Sequence, residues 1–198
     1  MREYYDRRAA EYDDWYEGRG RFAREHRPAW RELLDELADV LRRLPPARTL
    51  DVACGTGYAT RWLPGELTGL DQSSRMLRIA ARRLPGARLA RGDALALPFG
   101  DGAFDRLATM SFYGHLQPGE RTRFLREARR VAPELVVVDA ALRDDVEPVE
   151  WQERVLADGS HWRVFKRFFT PQGLLEELGG GETLYAGRWF VAVRSPRA

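Results

Sequence analysis

The sequence predicts an α/β fold built on a doubly wound, mostly parallel sheet. Short apolar runs alternate with amphipathic helical patterns through the middle of the chain, which is typical of right-handed βαβ units. With 198 residues, 44% of them hydrophobic and 31% charged, the chain is long enough for one globular domain with a sizeable core. The five strands predicted in this region are Thr49–Ala53, Glu66–Asp71, Ala87–Arg91, Phe104–Met110 and Leu135–Ala140.

Helices are predicted before and between these strands. Apolar residues at i, i+3, i+4 and i+7 spacing indicate an amphipathic helix from Phe22 to Leu44, which Pro45 ends. The charged stretch upstream of it carries aromatic residues, Tyr5 and Tyr12 among them, which fit either a packing face or a mobile flap over a ligand. The helices predicted between the strands are Tyr58–Leu63, Ser74–Leu84 and Gly119–Ala132.

The last third of the chain departs from this alternation. Asp158 and Gly159, between two aromatic-rich runs, are typical of a β-hairpin turn. A helix that begins after Thr170 and ends at a run of glycines is followed by a final pair of strands. We expect an antiparallel edge with an inserted hairpin lying over the strand ends. The four strands predicted here are Glu150–Leu156, His161–Phe169, Glu182–Ala186 and Trp189–Arg194.

Composition and charge narrow the class of protein. The 32 basic and 30 acidic residues give a net charge of +2, which argues against a dedicated nucleic-acid-binding protein. The single cysteine, Cys54, excludes an internal disulfide framework and a cysteine-based metal cluster. No apolar run is long enough to span a bilayer, and the N-terminal residues lack the apolar core of a signal peptide. We therefore expect a cytoplasmic protein with no membrane association and no bound metal.

The segment that follows the first predicted strand carries the clearest ligand-binding signal. Gly55 and Gly57 let the backbone turn tightly and approach a ligand closely, and the helix predicted after them offers free N–H groups to an anionic group. Asp51 precedes the glycines, while Asp71 and Asp93 lie at or near the ends of the next two strands. Because the carboxyl ends of parallel strands meet at one edge of a sheet, we expect these three acids on one rim.

The main alternative for this rim is a nicotinamide-dinucleotide site. The fingerprint of that site also places an acid on the second strand, but it expects a small residue where this chain has Thr60. Asp51 would repel a pyrophosphate, whereas it suits an ammonium group. The acid before the glycines therefore favours a cationic ligand.

Several motifs occur together in the order of a known family. They are Asp51-x-x-Cys54-Gly55-x-Gly57, Asp71, Gly92-Asp93-Ala94 with Leu97-Pro98-Phe99, and Phe104-Asp105 with Tyr113-x-His115-Leu116. On these residues the chain resembles the class I S-adenosylmethionine-dependent methyltransferases, in particular the small bacterial branch that includes the ubiquinone and menaquinone methyltransferases. The resemblance runs from about Arg48 to Asp139. It implies a Rossmann-like, doubly wound, mostly parallel seven-stranded sheet with an antiparallel C-terminal edge strand.

The resemblance implies that the cofactor is S-adenosyl-L-methionine, with S-adenosyl-L-homocysteine as its product. Asp51 would hold the amino group of the methionine part, Asp71 the ribose hydroxyls and Asp93 the adenine amine. The residues implied to bind this cofactor are Tyr5, Tyr12, Asp51, Ala53, Cys54, Gly55, Gly57, Asp71, Gln72, Met76, Asp93, Ala94, Met110 and Ser111.

The activity that the resemblance implies is methyl transfer to a small-molecule acceptor by in-line displacement. His115 is the first candidate for a general base and Tyr113 the second, and the alternative is that His115 only packs beneath its loop. Two other functions stay open at this point. One is an RNA or protein methyltransferase, and the other is a protein that binds the cofactor without catalysis.

Acceptor selection is expected to depend on the N-terminal aromatic residues and the hairpin. Strand alternation puts Arg163 and Arg167 on one hairpin face, where they would offer cations to an anionic small molecule with an apolar body. Alternatively, these arginines are only solvated. We expect a monomer or homodimer that consists of a single methyltransferase domain. Its predicted parts are an N-terminal helical flap (1–47), a cofactor-binding core (48–140), an inserted cap (141–169) and a C-terminal helix with a strand pair (170–198).

Overall fold

The chain folds as an α/β protein, and the computed structural model describes residues 1–24 and 26–196 of it. The α-helices of these residues are α1 (Arg2–Arg8), α2 (Asp14–Glu17), α3 (Trp30–Arg42), α4 (Ser74–Arg83), α5 (Pro118–Val131) and α6 (Pro171–Leu178). The strands are β1 (Ala47–Val52), β2 (Gly65–Asp71), β3 (Arg88–Arg91), β4 (Arg106–Met110), β5 (Glu134–Ala140), β6 (Val149–Val155), β7 (His161–Arg167), β8 (Glu182–Ala186) and β9 (Phe190–Pro196).

Seven of these strands form one sheet, in the order β3-β2-β1-β4-β5-β9-β8. Strands β1 to β5 run parallel, and β9 runs antiparallel to both of its neighbours. The predicted doubly wound, mostly parallel sheet with an antiparallel strand at its C-terminal edge is confirmed, with β8 paired on the outer side of β9. The strand order reverses between β1 and β4. Ligands bind to sheets of this kind at the carboxyl ends of the strands beside such a reversal.

Helices cover both faces of the large sheet. α3 packs on one face, because Leu34, Leu37 and Leu41 recur along one side of the helix. α5 and α6 pack on the other face, where Phe124 and Leu174 are fully buried. Because helices cover both faces of the sheet, the side chains on both sides of β5 are buried, which explains the continuous apolar run in its middle. A sheet face exposed to solvent would place polar residues at alternate positions of the strand.

The amphipathic helix of the N-terminal third is shorter than the sequence predicts. It begins at Trp30 rather than Phe22, because Pro28 disfavours helical geometry in the residue before it and Ala29 has a φ of 54°. A 3₁₀ turn occupies Gly20–Arg24 instead. Residue 25, which the predicted helix includes, lies outside the described residues.

The helix predicted after the glycines is a single 3₁₀ turn. Tyr58–Leu63 was expected to be helical, but only Thr60–Trp62 adopts a 3₁₀ conformation. Gly57 has a φ of 72°, which is not helical, and Pro64 stops any extension at the other end. The expectation that a helix N-terminus here offers N–H groups to an anion is therefore wrong, and the ligand site depends on the loop itself.

β6 and β7 form a separate hairpin, as predicted from Asp158 and Gly159. The hairpin meets the large sheet where the Phe169 N–H donates to the Ala140 carbonyl oxygen at 3.0 Å. α1 contacts the hairpin through Tyr4, whose ring lies 5.6 Å from that of Trp162. The described residues contain neither a helix long and apolar enough to cross a membrane nor a group of side chains that could hold a metal ion. The division into flap, core and cap stays a prediction.

Candidate active site

The loop after β1 passes through backbone conformations that favour glycine. Gly55 has a φ of 56° and Gly57 a φ of 72°. A Cβ atom at Gly57 would lie 2.7 Å from Leu84 Cδ1, so a side chain there would require Leu84 to move. Ala53 after β1 and Ser111 after β4 also have positive φ, at 59° and 56°. Non-glycine residues in this conformation cluster at functional sites, and both lie at the carboxyl edge of the sheet.

Asp51, the last but one residue of β1, is only 1% exposed. Its Oδ2 accepts a hydrogen bond from Thr60 Oγ1 at 2.5 Å, while Oδ1 has no hydrogen-bond partner among the described residues. Burial raises the pKa of Asp51 to about 7; the Thr60 hydrogen bond lowers it, and the charge of Asp71 adds to the rise. A buried carboxylate oxygen without a partner is unfavourable, so a ligand ammonium would fit at this position.

Asp71 ends β2 and connects the glycine loop to the start of α4. Its Oδ2 accepts from the Gly55 N–H at 2.9 Å, and its Oδ1 accepts from the Ser73 N–H at 2.8 Å. Burial raises the pKa of this carboxyl, and the two backbone hydrogen bonds offset part of the rise. Each carboxylate oxygen has a further lone pair, so Asp71 can also accept from ligand hydroxyls.

A cleft of about 310 Å³ lies at the carboxyl ends of β1 to β4. The predicted cofactor-binding residues that line it are Tyr5, Tyr12, Ala53, Gly55, Asp71, Gln72, Met76, Asp93, Ala94 and Ser111. Asp51, Cys54 and Met110 border a small adjoining space of about 10 Å³, which shares Tyr12 with the cleft. Gly57 lines neither space, and its part is to turn the backbone. The structure thus brings most of the predicted set to one edge of the sheet.

A larger chamber of about 990 Å³ adjoins the cleft, and α1, α2 and the hairpin contribute to its walls. The large aromatic residues among its lining are Trp15, Phe22, Trp30, Phe168, Trp189 and Phe190. Four residues line both cavities: Tyr5, Tyr12, Ser111 and His115. We call these four residues the junction. A molecule in the cleft and another in the chamber would meet there.

His115 is the junction residue whose side chain can accept a proton in its neutral form. Its Nδ1 lies 2.7 Å from the carbonyl oxygen of Phe165, and a carbonyl can only accept, so Nδ1 carries the proton and Nε2 keeps a lone pair. Burial lowers the pKa of His115 well below 6.5, and the positive charges of Lys166 and Arg154 lower it further. The imidazole is therefore neutral at neutral pH and able to accept a proton.

The structure places Tyr113, the second predicted catalytic residue, away from the junction. Its side chain is fully buried, its ring packs against Phe124 and Phe169, and its hydroxyl donates to Glu177 Oε2 at 3.0 Å. Burial and the Glu177 charge raise the pKa of this hydroxyl. Tyr113 lines neither cavity, so its position corrects the catalytic expectation: it joins the turn after β4 to α6.

The hairpin presents other basic residues to the chamber than those predicted. Arg163 is exposed and ion-paired on the outer face, and Arg167 pairs with Glu177 of α6 at 2.6 Å. Neither lines the chamber, so the prediction that they face an acceptor is corrected. Arg154 and Lys166, on the opposite face of the hairpin, line it instead. Alternation grouped the residues of each face, but only the packing decides which face turns inward.

Arg8 is a chamber residue that sequence reasoning did not single out. It is 6% exposed and lies over the ring of Tyr12, 5.0 Å from its centre. The available signal was its spacing, because a residue four positions after Tyr4 shares a helix face with it. This spacing indicates neither that Arg8 is buried nor which residues pack against that face of α1.

Comparison with known proteins agrees with this geometry. Residues 49–134 match a family described as a methyltransferase domain. Demethylmenaquinone methyltransferase of Thermotoga maritima is 43% identical over 107 residues, which are 52% of this chain and 44% of that protein. Phthiotriol/phenolphthiotriol dimycocerosates methyltransferase 1 of Mycobacterium ulcerans is 38% identical over 116 residues, 53% of this chain and 41% of that protein. The chain thus spans less than half the length of these curated relatives.

One solved structure is similar over nearly the whole chain. It is described as a DhpI-SAM-HEP complex, superposes with a TM-score of 0.73 at 25% identity, and the match covers 98% of this chain and 95% of that one. The glycine loop, the strand order and the domain match agree with one another. In its domain match and in its fold, the chain is thus similar to the class I S-adenosylmethionine-dependent methyltransferases.

Proposed function

We propose that the protein is an enzyme that transfers a methyl group from S-adenosyl-L-methionine to a small-molecule acceptor. The observation that carries this proposal is the junction, where four residues line both the cleft and the chamber. This arrangement gives each of two molecules its own cavity and one place of contact. The fold alone would support any ligand at the strand ends, whereas a two-cavity site supports a reaction between two molecules.

The residues at the cleft fit this cofactor. The unpartnered Oδ1 of Asp51 would accept from its ammonium group, and Asp71 would accept from its ribose hydroxyls. Asp93, with Ala94 beside it, would bind the adenine end, since both line the cleft at the end of β3. When bound, the cofactor supplies a methyl group that its sulfonium has already activated.

The chain's own contribution is mainly alignment of the acceptor with that methyl group. Alignment of two reacting groups lowers a barrier by up to roughly 7–11 kcal/mol in favourable intramolecular systems. Tyr5 and Tyr12 would exclude water from the junction, because both rings lie between the two cavities. His115 Nε2 would take the proton of an acceptor that must lose one, which adds roughly 10²–10⁴-fold.

A small molecule is the acceptor class that the chamber favours. Its volume of about 990 Å³ lies within the range of small-molecule sites, roughly 300–1,000 Å³. Helical segments and a hairpin wall it, so a folded macromolecule would reach the junction only through a flexible single segment. The net charge of +2 gives the chain little overall attraction for the phosphates of RNA.

Calorimetry tests the cofactor part of the proposal. We expect S-adenosylmethionine and S-adenosylhomocysteine to bind at micromolar concentrations and NAD not to bind. Asp71→Ala and Asp93→Ala should each weaken binding by about tenfold or more, because each removes a charged hydrogen-bond acceptor. Asp39→Asn, an exposed carboxylate of α3, is the matched control and should leave binding unchanged. Binding of NAD in place of S-adenosylhomocysteine would reject the proposed cofactor.

A screen with methyl-labelled cofactor tests the reaction. Incubation with fractionated cell extract should label a fraction of small molecules, and heat-killed protein should label none. Label found only in RNA or in protein would overturn the small-molecule acceptor. Tight binding of the cofactor with no label in any fraction would overturn catalysis and favour a protein that only binds the cofactor.

A further inference from the structure

Two guanidinium groups meet at one tyrosine hydroxyl in the wall of the chamber. Arg8 of α1 donates from Nη1 to Tyr4 Oη at 2.9 Å, and Arg154 of β6 donates from Nη1 to the same oxygen at 3.2 Å. Arg154 also donates from Nη2 to Gln152 Oε1 at 2.6 Å. Arg8, Arg154 and Gln152 all line the chamber, and none of them lines the cofactor cleft.

Neither guanidinium has a carboxylate partner among the described residues. Two other cations that line the chamber do have carboxylate partners. Lys166 lies 2.6 Å from Asp139, and Arg143 lies 2.8 Å from Asp145. Arg8 is 94% buried, and its Nε has no hydrogen-bond partner within the described part of the chain. A buried guanidinium charge that no anion compensates is unfavourable, so its retention indicates a ligand that supplies the anion.

The two arginines also lie close enough to the junction to act on a molecule held there. Arg154 and Arg8 are among the charges that lower the pKa of His115, after burial and Lys166. Both guanidinium charges therefore lie near enough to His115 to act on its imidazole. Another part of the chamber wall is aromatic, with Trp30 and Trp189 in edge contact at 5.8 Å between ring centres.

We propose that Arg8 and Arg154 form an anion subsite for the methyl acceptor, which binds its carboxylate or phosphate group. This inference rests on the proposed function. The free N–H groups of two guanidinium planes suit a bidentate oxyanion. An acceptor anchored there would place its apolar body against the aromatic wall and its nucleophilic atom at Ser111 and His115. The acceptor is thus an anionic small molecule, selected by residues other than Arg163 and Arg167.

Anion binding to the protein saturated with S-adenosylhomocysteine tests the subsite directly. The probes are inorganic phosphate and, separately, benzoate, titrated by calorimetry or ligand-observed NMR. We expect at least one of them to bind, and the preferred probe distinguishes a tetrahedral oxyanion from a carboxylate. Arg154→Gln and Arg8→Gln should each weaken that binding by about tenfold or more, since each removes a charged donor. Arg154 is only half-buried, so its variant remains informative if Arg8→Gln does not fold.

The controls separate this inference from the proposed function. Arg163→Gln, on the outer face of the hairpin, should leave anion binding unchanged. Arg154→Gln and Arg163→Gln should bind S-adenosylhomocysteine like the wild type, because neither residue lines the cleft or contacts Tyr12. Unchanged anion affinity in Arg154→Gln, or no binding of either probe to the wild type, would overturn the subsite. The same titrations are repeated without S-adenosylhomocysteine. If the protein does not bind S-adenosylhomocysteine but binds the anion through the two arginines, the subsite is supported and the proposed function is rejected.

Discussion

Asp13, the residue before α2, pairs with Arg83 of α4 through a 2.5 Å contact between Oδ2 and Nη2. The other oxygen of Asp13 accepts from Thr56 Oγ1 at 2.6 Å, and Arg83 Nη1 donates to the Thr56 carbonyl oxygen at 2.8 Å. The three residues form a closed cluster that ties the N-terminal segment to the glycine loop. Because Tyr12 is the next residue along the chain, this cluster fixes the ring that lines both cavities.

Asp13→Asn is therefore expected to loosen the cover of the cleft. Both side chains of the ion pair are about one-fifth exposed, so loss of the charge should destabilise the contact by roughly 1–3 kcal/mol. We expect the dissociation constant of S-adenosylhomocysteine to rise by about tenfold, measured by calorimetry. Glu3→Gln is the control, since Glu3 is exposed and pairs with Arg7 on the same segment. Equal affinity in Asp13→Asn and wild type would show that cofactor binding does not depend on this cluster.

Cofactor affinity is expected to fall as the pH drops through about 7. Burial raises the pKa of Asp51 to about 7, and a cofactor ammonium would need this carboxyl ionised. The dissociation constant of S-adenosylhomocysteine should therefore increase toward tenfold per pH unit below the pKa. In Asp51→Asn, we expect binding that is about tenfold or more weaker at about pH 8, without this pH dependence. Calorimetry across the pH range decides, and a parallel pH profile in both proteins would contradict the assignment of Asp51.

The same carboxyl should make the protein without ligand less stable at high pH. Asp51 titrates near 3.8 when unfolded and at about 7 when folded, so the folded state binds more protons between these values. Stability due to this group is present at low pH and is lost as the pH rises toward 7. Asp51→Asn should therefore melt above the wild type at about pH 8, with a gap that narrows toward about pH 4. A variant that melts at or below the wild type at about pH 8 would count against a buried, unpartnered carboxylate.

The sequence was sufficient to predict most of the fold because its signals are local. The strands of the parallel sheet are apolar runs with defined ends, and Ser73 and Thr170 cap α4 and α6 with their side chains, accepting from N–H groups at 3.1 Å. The misplaced start of α3 also has a local cause, since Pro28 was present but the apolar periodicity outweighed it. In this chain, the predicted boundary of a helix is wrong where two local sequence signals compete.

Only some residues of the candidate site could be predicted from the sequence. Residues fixed by their position at a strand end, such as Asp71 and Ser111, reach the cleft as predicted from the motif order. Residues of the chamber depend on how separate segments pack, and no spacing in the sequence relates Arg8 to Arg154, 146 positions along the chain. The arginine count therefore gave no indication that these two guanidinium groups meet at the Tyr4 hydroxyl.

Gly57→Ala is expected to destabilise the protein. A side chain at a φ of 72° is strained by roughly 1–2 kcal/mol, and the added Cβ would lie 2.7 Å from Leu84 Cδ1. We expect the urea midpoint to fall accordingly, with the same slope as in the wild type. Gly86→Ala is the matched control, because a Cβ there meets no atom within 4 Å. A midpoint for Gly57→Ala that equals that of Gly86→Ala would show that the loop relaxes without penalty.

His115→Asn tests the general base, because asparagine can keep a side-chain N–H for the Phe165 carbonyl while it lacks the lone pair of Nε2. With the acceptor found by the labelling screen, we expect kcat to fall by roughly 10²–10⁴-fold and S-adenosylhomocysteine affinity to stay unchanged. The rate of the wild-type enzyme should fall as the pH is lowered, with a midpoint below pH 6.5. Burial and the nearby cations lower the pKa of His115, and only the neutral imidazole accepts a proton. His161→Asn, an exposed histidine of β7, should behave like the wild type. An unchanged kcat and pH profile in His115→Asn would mean that His115 only packs beneath its loop, and that the acceptor reacts without a protein base.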